Sequence, residues 1–430
     1  MRAPQPLIPT TASERIDALD ILRGFALLGI LAANMGLFSF PFIAQITGTP
    51  RGEGALDRLA EFLIAWLATG KFYPLFSFLF GLGMTLQIER VQAAGGRPVR
   101  FMARRMLVLM ALGLIHALLI WNGDILFVYA ITGLLLLFFR NAPARTLLIW
   151  AGLLVAIPVV LGAGGGLLGL ALGSASAADA PGMRELAMLL QDVEQRTIET
   201  YVRGTWGEIF VWRAVEWLVM TIFFSLSAWS HVLALFLVGM YFGKRQIFQQ
   251  LEAHLPLFRR GVRIGMGVGL PTSFALAWLA RTSGADFTSP LSGVWPTLGL
   301  IVGPVLAFGY LSGLVLLAQR ESWRRRLAPL AAAGRMALTN YIMQSVICTL
   351  IFYSFGLGLF GQVGAFAGLA ISIAIWLAQL PISAAWLSRF RFGPLEWVWR
   401  SLTYGRRQGL SQAAGYSPTT LRHRGKAHDA

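Results

Sequence analysis

The stretch Gly113-Leu114-Ile115-His116-Ala117-Leu118-Leu119-Ile120-Trp121-Asn122-Gly123-Asp124-Ile125 decides how the chain is read. It closes one strongly apolar run, which starts behind Arg104 and Arg105, and opens another that continues to Phe139. Two apolar segments of helical length therefore meet at a turn of almost no length, as in an antiparallel helical hairpin. The turn places one histidine and one aspartate beside sequence suited to lipid, where ionisable groups are expensive and mark function.

The bulk composition points the same way. Of 430 residues, 56% are hydrophobic and only 13% charged, against roughly 25% charged in an average soluble domain. The mean hydropathy is +0.64. One water-soluble core cannot hide that much apolar surface, so lipid is the solvent for most of the chain. The formal charge of +16 sits in short Lys/Arg clusters between apolar runs. That is a topological signature rather than a nucleic-acid face. The single cysteine, Cys348, excludes an intrachain disulfide. A cleaved signal peptide is not expected, because the first apolar run follows Asp17, Asp20 and Arg23 and is too long before any small-residue cleavage site.

Apolar runs able to cross roughly 30 Å of hydrocarbon occur at about 21–40, 71–88, 106–121, 124–139, 146–172, 217–243, 264–280, 294–318, 338–358 and 364–388. The expected fold is an all-α polytopic bundle of about ten transmembrane helices. Residues 56–68, short and carrying Asp57, Arg58 and Glu61, form an interfacial or re-entrant helix or an eleventh span. With both termini cytoplasmic, 28 of the 36 Lys and Arg fall on the inner side, as the positive-inside rule requires. The expected organisation is a flexible tail at 1–14, an N-terminal bundle at 15–172, an extracytoplasmic helical cap at 173–213, a C-terminal membrane half at 214–405 and a basic disordered tail at 406–430. The chain is thus expected in a bacterial inner membrane, with membrane lipid as its surroundings.

Within the spans, Asp20 and Arg23 are helix neighbours, an ion-paired anchor or the mouth of a cavity. Asn34 lies eleven residues beyond Arg23, close to three turns, on the same stripe. It either lines a cavity or bonds a neighbouring helix. His116, five residues before Trp121, lies about 8 Å below the outer interface on a straight helix and suits a general base. Its alternative is an interhelical hydrogen bond. Asp124 is placed to cap the following helix, and on a straight helix it stands at a different depth from His116, which argues against their pairing. Glu216 and His231 share the sixth span, with Arg213 one turn from Glu216, as an outer pocket or an interfacial ion pair. Asn340, Tyr341 and Gln344 cluster behind Arg335, lining a cytoplasmic mouth or binding helices together. No metal-ligand spacing, Walker loop, nucleophile elbow or dinucleotide fingerprint occurs.

Four strings resemble the YeiB family of bacterial membrane proteins: Asp20-Ile-Leu-Arg23-Gly24 leading to Asn34; Gly123-Asp124-Ile125-Leu126 after His116; Gly334-Arg335-Met336-Ala337-Leu338-Thr339-Asn340-Tyr341 with Gln344-Ser345; and Gly393-Pro394-Leu395-Glu396-Trp397 through Leu402-Thr403-Tyr404-Gly405. The family's N-terminal half is similar to transmembrane acyltransferases that use cytoplasmic acyl-CoA. One branch of those carries an arginine followed, after ten intervening residues, by a catalytic histidine; here Arg23 matches the arginine and Asn34 occupies the histidine position.

The resemblance implies acyl-CoA as donor, no metal, and a glycan or lipid acceptor. Arg23, Arg104, Arg105 and Arg335, with Asn340, would hold the CoA phosphates. His116 would act as base, with Asn34 steadying the oxyanion and Asp124 beside them. Asp20, Glu216, His231 and Trp121 would face substrate. A transporter or exporter, or a non-catalytic scaffold, is the alternative, and a homodimer is left open.

Overall fold

The computed structural model describes residues 17–171, 181–283 and 294–411. The expected N-terminal tail, the start of the cap linker and most of the basic C-terminal tail lie outside the described residues. In chain order the helices are α1 (Asp17–Ser39), α2 (Ala44–Thr47), α3 (Ala55–Leu67), α4 (Phe72–Ala93) and α5 (Pro98–Ile115), which runs directly into a π-helical turn, His116–Ile120. Then come α6 (Leu126–Leu136), α7 (Ala144–Ala171), α8 (Pro181–Arg203) and α9 (Trp206–Lys244). Next, α10 (Leu251–Ile264) passes through a π-helical turn, Gly265–Gly269, into α11 (Leu270–Thr282). The chain finishes with α12 (Val294–Ala318), α13 (Glu321–Arg335), α14 (Ala337–Phe352), α15 (Ala365–Arg389) and α16 (Pro394–Tyr404).

Among the described residues there is no β-strand, only one isolated bridge between Phe390 and Ser411. Away from water, backbone N–H and C=O groups must bond within their own segment, which leaves the helix as the economical solution. Among the described residues, seven helical segments are long and apolar enough to cross a membrane, and there are two shorter apolar helices, Leu126–Phe139 and Ala337–Phe352. Each of the ten apolar runs in the sequence falls largely on a helix. The protein is an all-α polytopic bundle. Large apolar side chains that stay exposed, such as Phe138, Ile149, Val160 and Leu161, are the expected surface of a molecule solvated by lipid.

Two of the Lys/Arg-rich connections that count as inner by the positive-inside rule, 244–263 and 320–335, contain amphipathic helices, α10 and α13. Arg324, Arg325 and Arg326 of α13 and Arg259 and Arg260 of α10 are exposed, while Leu327, Ala333 and Phe258 are buried. The 56–68 stretch is the 13-residue helix α3, about 20 Å long at 1.5 Å per residue and too short to span alone. It is fixed at both ends: Asp57 Oδ1 accepts from the Phe366 N–H at the start of α15, and the Trp66 carbonyl accepts from Ser273.

The bundle is held by backbone-to-backbone crossings at glycines. A Cβ on Gly24 of α1 would lie 2.0 Å from the Leu330 carbonyl oxygen of α13, and one on Gly334 would lie 1.9 Å from the Asp20 carbonyl oxygen. Gly81 and Gly239 do the same for α4 and α9, against Phe236 and Phe78. Small residues permit this approach where no hydrophobic drive joins helices in lipid. At one end of the bundle lie Arg23, Arg90, Arg105 and Arg335; at the other, α8 and the start of α9 cover the loop after α14, where Tyr201 stacks on Tyr353 at 4.4 Å between ring centres. We call these the basic end and the cap end.

Replacing Gly334 by Leu drives a side chain into the α1 backbone. This substitution is expected to destabilise the protein by about 3 kcal/mol or more, seen as a lower melting temperature in detergent. Gly152→Leu, at a position with open space around it, is expected to leave the melting temperature unchanged.

Candidate functional site

The π-helical turn decides the position of the histidine. It ends at Trp121 with an extended backbone (φ −157°, ψ 129°), so the chain reverses at once and returns Asp124 to the level of His116. The pairing that a straight helix argues against therefore forms: His116 Nδ1 lies 2.8 Å from Asp124 Oδ1, with side chains 1% and 0% exposed. The other carboxylate oxygen accepts from the Phe127 backbone N–H at 2.7 Å. Asp124 thus caps the first turn of α6, as expected, and orients the imidazole as well. Gly113 makes room for this, since a Cβ there would sit 2.5 Å from Phe127 N and 3.0 Å from Asp124 Oδ2.

The far side of the imidazole meets α14. His116 Nε2 lies 2.9 Å from Ser345 Oγ, and Ser345 is fully buried. A carboxylate can only accept, so Nδ1 carries the proton toward Asp124. In the neutral ring Nε2 is then the acceptor for the Ser345 hydroxyl. That hydroxyl's alternative acceptor, the Tyr341 carbonyl, is 3.4 Å away. Serine, histidine and aspartate thus form one hydrogen-bonded line. Sequence reasoning missed Ser345, which stands there only as part of a family string; the signal that identifies it is its spacing of four from Tyr341 on one face of an apolar helix.

Beside this line, a cavity of about 310 Å³ runs in from the basic end. Arg23, Arg90, Arg105, Arg335, Arg391 and Arg400 surround its mouth, against the carboxylates of Asp20 and Glu396. Neither carboxylate neutralises the group as a whole. Asp20 is paired with Arg23 at 2.7 Å, and Glu396 is committed elsewhere. Arg105 lies flat over Trp399, 3.6 Å from the ring centre, while the Trp399 indole N–H donates to the Arg105 carbonyl. Deeper in, the walls become apolar and aromatic, with Phe76, Phe80, Ile125, Tyr129 and Tyr341. Gln87 also lines the cavity, and its Oε1 is buried without a protein partner. The Tyr341 ring lines the cavity as well and lies beside His116, 5.2 Å between ring centres and tilted by 55°.

Glu396 explains the Gly-Pro-Leu-Glu-Trp string. Its Oε1 accepts from the backbone N–H groups of Leu338 (2.7 Å) and Thr339 (3.1 Å), and its Oε2 from the Thr339 hydroxyl (2.6 Å). The Leu395 N–H returns a bond to Thr339 Oγ1. A carboxylate on the first turn of α14 satisfies orphan donors and complements the helix dipole. It thereby fixes the helix that carries Tyr341 and Ser345.

The remaining sequence candidates separate. Arg23, Arg105, Arg335 and Asp20 line the cavity; Arg104 is exposed, near Gly405 at the end of α16. Asn340 is turned away, donating to the Ala333 carbonyl and Ser383, and joins α14 to α13 and α15. Asn34 is half-buried on α1 and is not part of the cavity wall. Trp121 is fully buried, stacked on Phe38 at 3.9 Å. His231 Nδ1 lies 2.7 Å from the Tyr73 hydroxyl. Glu216 accepts from Asn122 (2.8 Å) and Tyr201 (2.6 Å) beside a void of about 10 Å³.

The expected Arg213–Glu216 ion pair is replaced by something else. Arg213, fully buried, donates to the Leu118 carbonyl (3.1 Å) and the Ile120 carbonyl (2.6 Å). The π turn and its abrupt end leave those carbonyls without helical partners, and the guanidinium supplies donors to them.

The molecule is therefore a polytopic all-α membrane protein with an arginine-lined cavity and, next to its wall residue Tyr341, a buried serine–histidine–aspartate line. It is 35% identical to "Uncharacterized protein YxaH" of Bacillus subtilis (strain 168), over 93% of this chain and 96% of that one. It is 32% identical to "Uncharacterized protein YeiB" of Escherichia coli (strain K12), over 91% and 96%. Residues 242–406 match the family described as "Protein of unknown function (DUF418)". The chain belongs to the YeiB family.

Removing the Glu396 carboxylate leaves two buried backbone donors and a hydroxyl unpaired. Glu396→Ala is expected to cost at least about 2 kcal/mol, measured as a drop in melting temperature in detergent. Glu396→Gln, which keeps one acceptor oxygen, is expected to lose less.

Proposed function

We propose that this protein is a membrane acyltransferase that takes its acyl group from acyl-CoA at the basic end and delivers it to a hydroxyl or amine of a glycan or lipid headgroup. The observation that carries this reading is the polarity gradient of one cavity, arginines at the mouth and an apolar interior, ending on the Tyr341 ring that lies against His116. Guanidinium groups match phosphate oxygens in geometry and charge. A thioester arm with a short acyl chain suits a narrow apolar passage. The volume, at the lower end of the roughly 300–1,000 Å³ usual for small-molecule sites, fits that arm while the nucleotide stays among the arginines. By the positive-inside rule the basic end faces the cytoplasm, where acyl-CoA is made. The setting would then be the inner membrane of a bacterium.

His116 supplies the base in this reading. Asp124 holds the imidazole in the tautomer whose Nε2 carries no proton, accepts from the Ser345 hydroxyl and is able to take a proton. Asn34, which occupies the histidine position of the similar acyltransferases, is not in the cavity wall. His116 is also outside the lining but lies against the wall residue Tyr341 at 5.2 Å between ring centres; in this reading His116 takes the basic role on a different helix. The departure in the sequence thereby acquires a physical substitute.

The test is CoA release from acetyl-CoA by the purified full-length protein with a crude lipid and glycan extract. Release dependent on the extract is expected, falling by about 100-fold or more in His116→Ala, the range of general-base removal. Arg335→Glu is expected to raise the KM for acetyl-CoA with a smaller effect on kcat. Substrate movement across vesicles without CoA consumption would replace this reading with transport.

A further inference from the structure

We propose that Ser345 is an acyl carrier, so that transfer proceeds through a covalent acyl-serine rather than directly from CoA to acceptor. The proposal rests on the acyltransferase reading above and adds the chemical path. A base that acts directly on an acceptor must present its free nitrogen to that acceptor. Here His116 Nε2 is already engaged by Ser345 Oγ at 2.9 Å. The opposite nitrogen is held by Asp124 at 2.8 Å, and Asp124 is itself held by the Phe127 N–H. Nucleophile, base and orienting carboxylate in one hydrogen-bonded line are the geometry by which an activated serine is recognised.

The hydroxyl at 345 is fully buried on the helix that carries Cys348 and Phe352, and its only acceptors among the described residues are the imidazole at 2.9 Å and the Tyr341 carbonyl of its own helix at 3.4 Å. Burying a hydroxyl in an apolar site costs free energy unless it is bonded. The Ser345–His116 bond accounts for it, and the line it completes points at the wall of the cavity.

The two half-reactions balance. In the first, Ser345 Oγ attacks the thioester carbonyl while His116 Nε2 accepts the hydroxyl proton. The carbon–sulfur bond breaks, an oxygen ester forms on Ser345, and the proton passes to the CoA thiolate. In the second, the acceptor hydroxyl or amine attacks the acyl-serine, His116 takes the acceptor's proton, the ester bond breaks, and the proton returns to Ser345 Oγ. The Tyr341 ring lines the cavity and lies against His116, one helical turn from Ser345, while neither His116 nor Ser345 lines the cavity. Acylation therefore requires that ring to swing aside.

The full-length protein in detergent is incubated with acetyl-CoA carrying a labelled acetyl group and no acceptor, quenched in acid, digested and examined by mass spectrometry. An acetyl group on Ser345 is expected at near-stoichiometric level within the burst, absent in Ser345→Ala and at least about 100-fold slower to form in His116→Ala. Ser345→Cys, which keeps a nucleophile, is expected to form a thioester at the same position. Unchanged melting temperatures would show that these variants fold. CoA release with extract that persists in Ser345→Ala, with no adduct in the wild type, overturns the acyl-serine and leaves the acyltransferase reading standing. Absence of both release and adduct with acetyl-CoA and palmitoyl-CoA overturns both.

Discussion

A carboxylate buried beside lipid must be answered by donors, because no water is there to do so. In this protein the Asp124 carboxylate, fully buried at the head of α6, is answered by two: the imidazole N–H of His116 and the backbone N–H of Phe127. Much of the surrounding architecture makes that arrangement possible. The π turn lets the chain double back over the shortest distance, and Gly113 leaves the space a side chain would fill. Arg213 reaches in from α9 to satisfy the carbonyls of Leu118 and Ile120.

The other half of the site is set by a similar need at the start of α14. Glu396 of α16 answers the exposed N–H groups of Leu338 and Thr339, so a helix near the basic end determines the register of Ser345, two turns further on. The same C-terminal helix brings Trp399 against Arg105 and Arg400 to the mouth of the cavity. The glycine crossing between α1 and α13 then sets Arg23 and Arg335 on the walls of that mouth. Chain segments separated by hundreds of residues thereby build one anion-attracting opening above one apolar passage.

The class of molecule is legible in composition and run length, since the membrane constraint acts on whole segments. His116 and Asp124 are each legible as polar residues in costly places. Their contact is not, because the depth argument assumes a helix of 3.6 residues per turn where the chain makes a wider turn and stops. The same limit hides Arg213: one turn from Glu216 in sequence, it serves carbonyls on another element, while Glu216 is held by Asn122 and Tyr201. Asn340 reads either as part of a cytoplasmic mouth or as a link between helices, and its bonds to Ala333 and Ser383 make it the link; Ser345 reads as one more residue of a family string and instead meets the imidazole. Which polar residues face one another across a bundle is fixed by crossing angles and helix phase, and periodicity along one helix does not contain them.

The central claim is that the arginine-ringed cavity delivers the reacting group to the imidazole. A structure of the full-length protein with S-ethyl-CoA, whose thioether cannot transfer its two-carbon arm, tests it most directly. The account predicts phosphates among Arg23, Arg105 and Arg335, with the ethyl group at a displaced Tyr341 ring and within van der Waals reach of Ser345 Oγ. Density for the ligand at the cap end, or a nucleotide bound at the mouth with its arm turned outward and Tyr341 unmoved, would contradict it.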